Sequence, residues 1–186
     1  MADLRRVEGV DAIPLAPGER ASARPTFERF FETEYRRVLA LALALCGRST
    51  VAEELAQEAF ISAYRRWDRI ARYDDPAAWV RRVVTNLATS SLRRRRTELR
   101  ALTRLAGRRE FDSQTETGDD VEFWRAVREL PARQAQCIAL RYLDDRTTEE
   151  IATLLGIATA TVRVHLHAGR SALALRLGEC LDEEAL

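Results

Sequence analysis

Apolar residues recur at three- and four-residue spacing from Phe27 to Cys46, where Phe27, Phe30, Phe31, Val38, Leu41 and Leu45 share one stripe. That period predicts an amphipathic helix. Thr26, after Pro25, can cap its start, and Gly47 can end it in a left-handed residue. Thr50 and Glu53 have capping-box spacing and predict a long second helix. Its apolar stripe is Val51, Leu55, Ala59, Ala63, Trp67 and Ile70; its opposite side carries Glu53, Glu54, Gln57 and Glu58. Asp75-Pro76 joins a cap to a proline at the first helical position. The third helix buries Trp79 or Val80, then Val83, Val84, Leu87 and Leu92, and runs out into Arg93-Arg94-Arg95-Arg96. The pattern weakens over Thr97 to Asp120, although Leu99, Leu102 and Leu105 can continue a short helix. A second helical unit begins near Val121, with Phe123 or Trp124, Val127 and Leu130 inward, and Pro131 punctuates it. No strand alternation and no internal repeat is visible. The fold class predicted is all-α: two small helical domains on a flexible linker. Residues 1–25 read as a disordered N-terminal arm, 26–96 as the first domain, 97–120 as the linker, 121–178 as the second domain and 179–186 as a C-terminal tail.

Within the second unit, Thr147 to Arg170 (TTEEIATLLGIATATVRVHLHAGR) has the layout of a helix-turn-helix. Thr147 and Glu150 make a capping box, Ile151, Leu154 and Leu155 share a face, and Gly156 can close the helix. Ile157 packs into the corner. Thr159 or Thr161 can open the next helix, which turns Val162, Leu166, Leu173 and Leu177 inward. Arg163, His167 and Arg170 point outward, as side chains able to reach bases and phosphates.

Composition changes this picture in two places. Net charge is only +1, so no overall charge pulls the molecule onto nucleic acid. Locally, however, ten arginines and a single acid, Glu98, lie between Arg81 and Arg109. The stretch after it reverses sign with Glu110, Asp112, Glu116, Asp119, Asp120 and Glu122. Every basic residue is arginine, which reflects a GC-rich genome more than chemistry. Cys46, Cys137 and Cys180 are too far apart for a zinc site, and Cys46 and Cys137 read as reduced core residues. His165 and His167 point to different helix faces, which argues against joint metal ligation. No apolar run is long enough to span a membrane and no signal-peptide pattern opens the chain, so a cytoplasmic protein is expected. No nucleotide loop, metal cluster or nucleophile–base pair is visible, so neither an enzyme nor a cofactor is expected.

Three segments in order, VAEELAQEAFISAYRRW (Val51 to Trp67), DPAAWVRRVVTNLATSSLRRRR (Asp75 to Arg96) and Glu129 to Leu173, carry a family resemblance. Together they resemble the small two-domain extracytoplasmic-function sigma factors of bacterial RNA polymerase. The resemblance implies that Glu54, Leu55, Gln57 and Glu58 belong to a helix that docks on the β′ subunit of core polymerase, whose β subunit is a further expected partner. It implies that Tyr73, Trp79, Arg82, Asn86, Arg93 and Arg94 meet the promoter's −10 element, with Arg81 also following the backbone and Trp79 alternatively a core residue. It implies that Thr159, Thr161, Arg163, His167 and Arg170 meet the −35 element. The expected partners are core polymerase, promoter DNA and an anti-sigma factor, with no small-molecule substrate. The chain departs from the family at Ala160, where glycine is usual, at Val164, His165 and Ala168, where basic or hydroxyl residues are usual, and at Ser90, where aspartate is usual.

The implied function is to bind core polymerase, direct it to a promoter subset and help separate the strands. The two elements lie on the order of 75 Å apart at about 3.4 Å per base step. Thr97 to Asp120, fully extended, reach at most about 80 Å, so one tethered chain can touch both. The acidic run suits a segment that threads the polymerase's basic RNA path, or a merely solvated one. The rival reading is an autonomous helix-turn-helix regulator whose residues 26–96 form a dimerisation or sensor domain.

Overall fold

The structure, a computed structural model, describes residues 26–105 and 119–177. The predicted arm, the middle of the predicted linker, the tail and Cys180 lie outside the described residues. Among the described residues there are eight elements, all helices: α1 (Phe27–Cys46), α2 (Ser49–Tyr64), α3 (Trp67–Ile70), α4 (Pro76–Leu105), α5 (Asp119–Glu129), α6 (Ala132–Tyr142), α7 (Thr148–Leu155) and α8 (Thr159–Leu177). They form two clusters, α1–α4 and α5–α8, as the all-α reading expects.

Local chemistry explains most of the boundaries. Thr26 caps α1 by accepting the Arg29 N–H, and Gly47 ends it at φ 72°, where its N–H reaches Leu43 O. Asp75 Oδ1 accepts the Ala78 N–H at 2.9 Å and opens α4 ahead of Pro76. Three expectations change. The Thr50–Glu53 capping box does not form, because the chain is already helical at Ser49 and the extended residue before it, Arg48, has no capping side chain. The long second helix breaks after Tyr64, and Trp67 restarts as α3. Its indole sits 4.8 Å from the Phe30 ring and 5.4 Å from the Phe27 ring, so an aromatic cluster under α1 holds the chain where a straight helix would carry Trp67 away. Finally, α4 continues past Arg96 to Leu105, since no glycine or proline interrupts the chain between Pro76 and Gly107.

Alanines decide how α2 packs. Ala52, Ala56, Ala59 and Ala63 are buried with Phe60, so the helix lies close against α1 and α4. In the second cluster, α8 crosses α6 at Gly169. A Cβ added there would stand 3.0 Å from Ile138 Cγ1, so only glycine gives this approach without a shift.

The two clusters also touch. α1 meets α5 and α6, α4 meets α6 and α7, and the buried residues of both halves form one contiguous core. In this conformation the halves are stacked on each other, a packing that the tethered-module reading does not anticipate.

Candidate polymerase and nucleic-acid interfaces

The buried alanines orient α2 so that its other face looks outward. Glu54 and Gln57 are exposed on that face, while Leu55 and Glu58 are half-buried. The same stripe continues into Ile61, 51% exposed, and Tyr64, 62% exposed. Sequence reasoning passed over these two, although their spacing from Gln57 and Glu58 is helical. The face therefore offers carboxylates beside bare hydrocarbon and an aromatic edge. Carboxylates of this kind can form paired hydrogen bonds with partner arginines.

The residues expected at the −10 element divide by burial. Arg93 and Arg94 are exposed on α4, and Tyr73, Arg82 and Asn86 are half-buried. Trp79 is only 3% exposed and packs in the core in this conformation. Arg81 is 2% exposed and does not follow any DNA backbone here. Its Nε lies 2.7 Å from Asp144 Oδ1, and its Nη2 makes an ion-pair contact with Glu34 at 2.8 Å. Burial pushes the Arg82 guanidinium below its usual pKa, and the nearby Arg133 charge adds to the effect. Among the described residues, Arg81 Nη1 and Arg82 Nε are buried without a hydrogen-bond partner.

Four polar residues at the seam between the clusters were not singled out from the sequence as site residues. Gln136, which is buried, points its Nε2 at Asn86 Oδ1 (3.1 Å), Thr89 Oγ1 (3.1 Å) and Thr85 O (3.3 Å). Its Oε1 accepts from Arg133 Nη1 at 3.0 Å, which fixes the amide's orientation. Asp144 accepts from Arg146 Nε at 2.9 Å as well as from Arg81. Arg146 Nη1 reaches Asp75 Oδ2 at 2.8 Å and Glu150 Oε1 at 3.1 Å. Burial alone would lower the Arg146 pKa, but the hydrogen bonds and charges of Asp144 and Asp75 prevail and raise it.

The helix-turn-helix has the predicted chemistry. Thr147 Oγ1 accepts the Glu150 N–H at 3.2 Å, and Glu150 Oε2 accepts the Thr147 N–H at 2.8 Å, completing the capping box. That backbone hydrogen bond is the main reason the Glu150 carboxyl lies below its ordinary pKa. Gly156, at φ 66°, turns the chain, and α8 leaves at 107° to α7. Val162, Leu166, Gly169 and Leu173 bury one face of α8. Thr161, Arg163 and His167 are consequently exposed, while Thr159 and Arg170 are half-buried, with Arg170 Nε lacking a partner among the described residues. Arg163 contacts Glu149 at 3.7 Å, but both are well exposed, so the pair leaves Arg163 available. Val164, 65% exposed, adds an apolar group to this face that the sequence reading recorded only as a departure. Among the described residues, no three His, Cys, Asp or Glu side chains gather to hold a metal ion, and no single helix is long and apolar enough to cross a membrane.

Comparison with known families agrees with this geometry. The family model "Sigma-70 region 2" matches residues 30–98, and "Sigma-70, region 4" matches residues 120–173. These two matches, in this order along an α2 with exposed carboxylates, an arginine-lined α4 and a helix-turn-helix, define a sigma factor. The RNA polymerase sigma-E factor of Streptomyces avermitilis is 30% identical over 161 residues, covering 86% of this chain and 90% of that protein. The ECF RNA polymerase sigma factor SigM of Mycobacterium tuberculosis is 30% identical over 175 residues, covering 93% and 87%. The chain belongs to the extracytoplasmic-function sigma factors, and it directs RNA polymerase to promoters without being an enzyme. In fold it is similar to the sigma factor RpoE of Bartonella quintana, solved in complex with the anti-sigma factor NepR. The TM-score is 0.65 at 22% identity, covering 82% of this chain and 96% of that one.

Proposed function

We propose that the three surfaces divide the work of initiation. The α2 face of Glu54, Leu55, Gln57 and Glu58, extended by Ile61 and Tyr64, docks on the β′ subunit of core polymerase, with β contacts elsewhere along the chain. Tyr73, Arg82, Asn86, Arg93 and Arg94 engage the melted −10 element, and Trp79 supports them from the core. Holding unpaired bases offsets the stacking energy lost when the duplex opens. Thr159, Thr161, Arg163, His167 and Arg170 engage the −35 element from the outward face of α8. The observation that carries this reading is the orientation of α8. Its buried residues are all on one side, which leaves Thr161, Arg163 and His167 facing solvent beyond a rigid turn.

An anti-sigma factor is a further partner, supported by the likeness in fold to a sigma factor solved with one bound. The site of action is the cytoplasm, where polymerase and chromosome meet. The test is in-vitro transcription with purified core polymerase on genomic fragments. Starts at a defined promoter subset, weakened by Arg163→Ala and His167→Ala, support the assignment. Failure of the wild-type chain to bind core, or starts insensitive to both substitutions, would sink it.

A further inference from the structure

Among the described residues, the exposed large apolar side chains are Ile61 and Tyr64 on α2, Tyr142 and Leu143 at the end of α6, and Val164 and Leu175 on α8. Val164 alone of these lies in the opening turns of α8, where it is the sixth residue of the helix. A helix advances about 100° per residue, so Val164, two residues from both Val162 and Leu166, stands on the opposite side from that buried pair. Ala160, one turn before it, and His167, one turn after it, are exposed on the same side. Arg163 and Arg170 lie along one flank of this line and Thr161 along the other, with Arg163 3.7 Å from Glu149 on α7. The crest of α8 therefore presents a methyl and an isopropyl group before its first hydrogen-bonding side chain.

In a helix-turn-helix the N-terminal residues of the second helix meet base edges in the major groove. A valine there has no atom that answers a donor or an acceptor. A polar base edge pressed against it would lose its water and gain no bond. The groove floor offers a methyl group as well as polar edges, and only thymine carries it. We infer that Val164 reads a thymine of the −35 element through its 5-methyl group. Ala160, with its short side chain, lets the crest approach that base closely. Arg163 and His167 supply the polar contacts to either side along the helix. This role rests on the assignment of the outward face of α8 to the −35 element, and it adds the identity of one base to that assignment.

The test uses the full chain bound to core polymerase, on a labelled duplex carrying a promoter at which that holoenzyme starts transcription. Each thymine of the −35 element is replaced in turn by deoxyuridine, which keeps every hydrogen-bonding group and removes only the methyl. Holoenzyme affinity is read by fluorescence anisotropy. One replacement should weaken wild-type binding about fourfold, the worth of one buried methyl group. Val164→Ala should weaken binding to the thymine duplex at least as much, and should bind that deoxyuridine duplex no worse than the thymine one. Its helix content by circular dichroism and its affinity for core polymerase should match wild type, since alanine suits an exposed helical position. A −35 element without thymine overturns the inference. So does deoxyuridine that is neutral at every position in the wild type, or a deoxyuridine effect that survives in Val164→Ala. Weaker core binding by Val164→Ala also overturns it, because Val164 would then face a protein. Arg163→Ala and His167→Ala on the same duplexes separate two failures. If they weaken binding while deoxyuridine does not, the thymine reading alone fails. If neither they nor a scrambled −35 sequence changes binding, the assignment of α8 fails with it.

Discussion

Replacing Trp79 separates a packing role from a DNA-reading role more cleanly than any other single change. The indole is 3% exposed and packs on α4 beside Val80, Val83 and Val84, all buried in the common core. A buried tryptophan removes roughly 150–250 Å² from water, worth about 4–6 kcal/mol at about 25 cal/mol per Å². Measured truncations of buried aromatic residues to alanine cost about 3–5 kcal/mol. For a chain of 186 residues, each kcal/mol moves the thermal midpoint by about 2–4 °C, so Trp79→Ala should lower it by about 6–20 °C. Trp79→Phe keeps a ring in the site and should lose on the order of 1 kcal/mol. The assay is urea unfolding followed by circular dichroism, run beside transcription from a linear promoter and from one with a pre-melted bubble. For a packing residue, Trp79→Phe starts transcription on both templates at nearly wild-type rates. A Trp79→Ala protein as stable as wild type that starts only on the pre-melted template would refute the placement. The ring would then be meeting DNA.

Glu58→Arg should leave helix content intact and weaken core-polymerase binding by about 2–5 kcal/mol, measured by fluorescence anisotropy; unchanged affinity removes Glu58 from the docking face. Thr147→Ala removes the acceptor for the Glu150 N–H and should cost about 1 kcal/mol in urea unfolding, with a loss under 0.3 kcal/mol counting against the capping geometry. Burial pushes the Cys137 thiol up to about 11 from 9.0, so the folded chain holds a proton that the unfolded chain releases first. Its contribution is fully present below about pH 9 and declines as pH rises towards 11, a slope that Cys137→Ala should flatten in unfolding curves taken across that window.

The parts of this fold that were legible in the sequence are those whose causes are local. Thr26, Gly47, Asp75-Pro76, the Thr147–Glu150 pair and Gly156 act on backbone groups within four residues, and each does in the structure what its chemistry demands. Spacing also sufficed for the outward set on α8, because Val162, Leu166 and Leu173 determine which way Thr161, Arg163 and His167 face. The break between α2 and α3 was hidden because it depends on rings from α1 attracting Trp67. The seam was hidden for a stronger reason. Arg81 meets Asp144 across 63 positions, Gln136 meets Asn86 across 50 and Arg146 meets Asp75 across 71. No periodicity reports such pairs, and an arginine beside other arginines reads as a DNA contact until its partner is seen.

That seam also constrains how such proteins can be recombined. Grafting the second half of a relative onto this first half would set Arg81, buried at 2% exposure, opposite whatever that relative carries in place of Asp144. Loss of one partner of a buried pair costs far more than loss of both. A chimera in which Gln136, Asp144 and Arg146 travel with the first half should therefore keep the seam's polar contacts paired. One that leaves them behind would keep Glu34 beside the Arg81 guanidinium but lose its second carboxylate, however well each half folds.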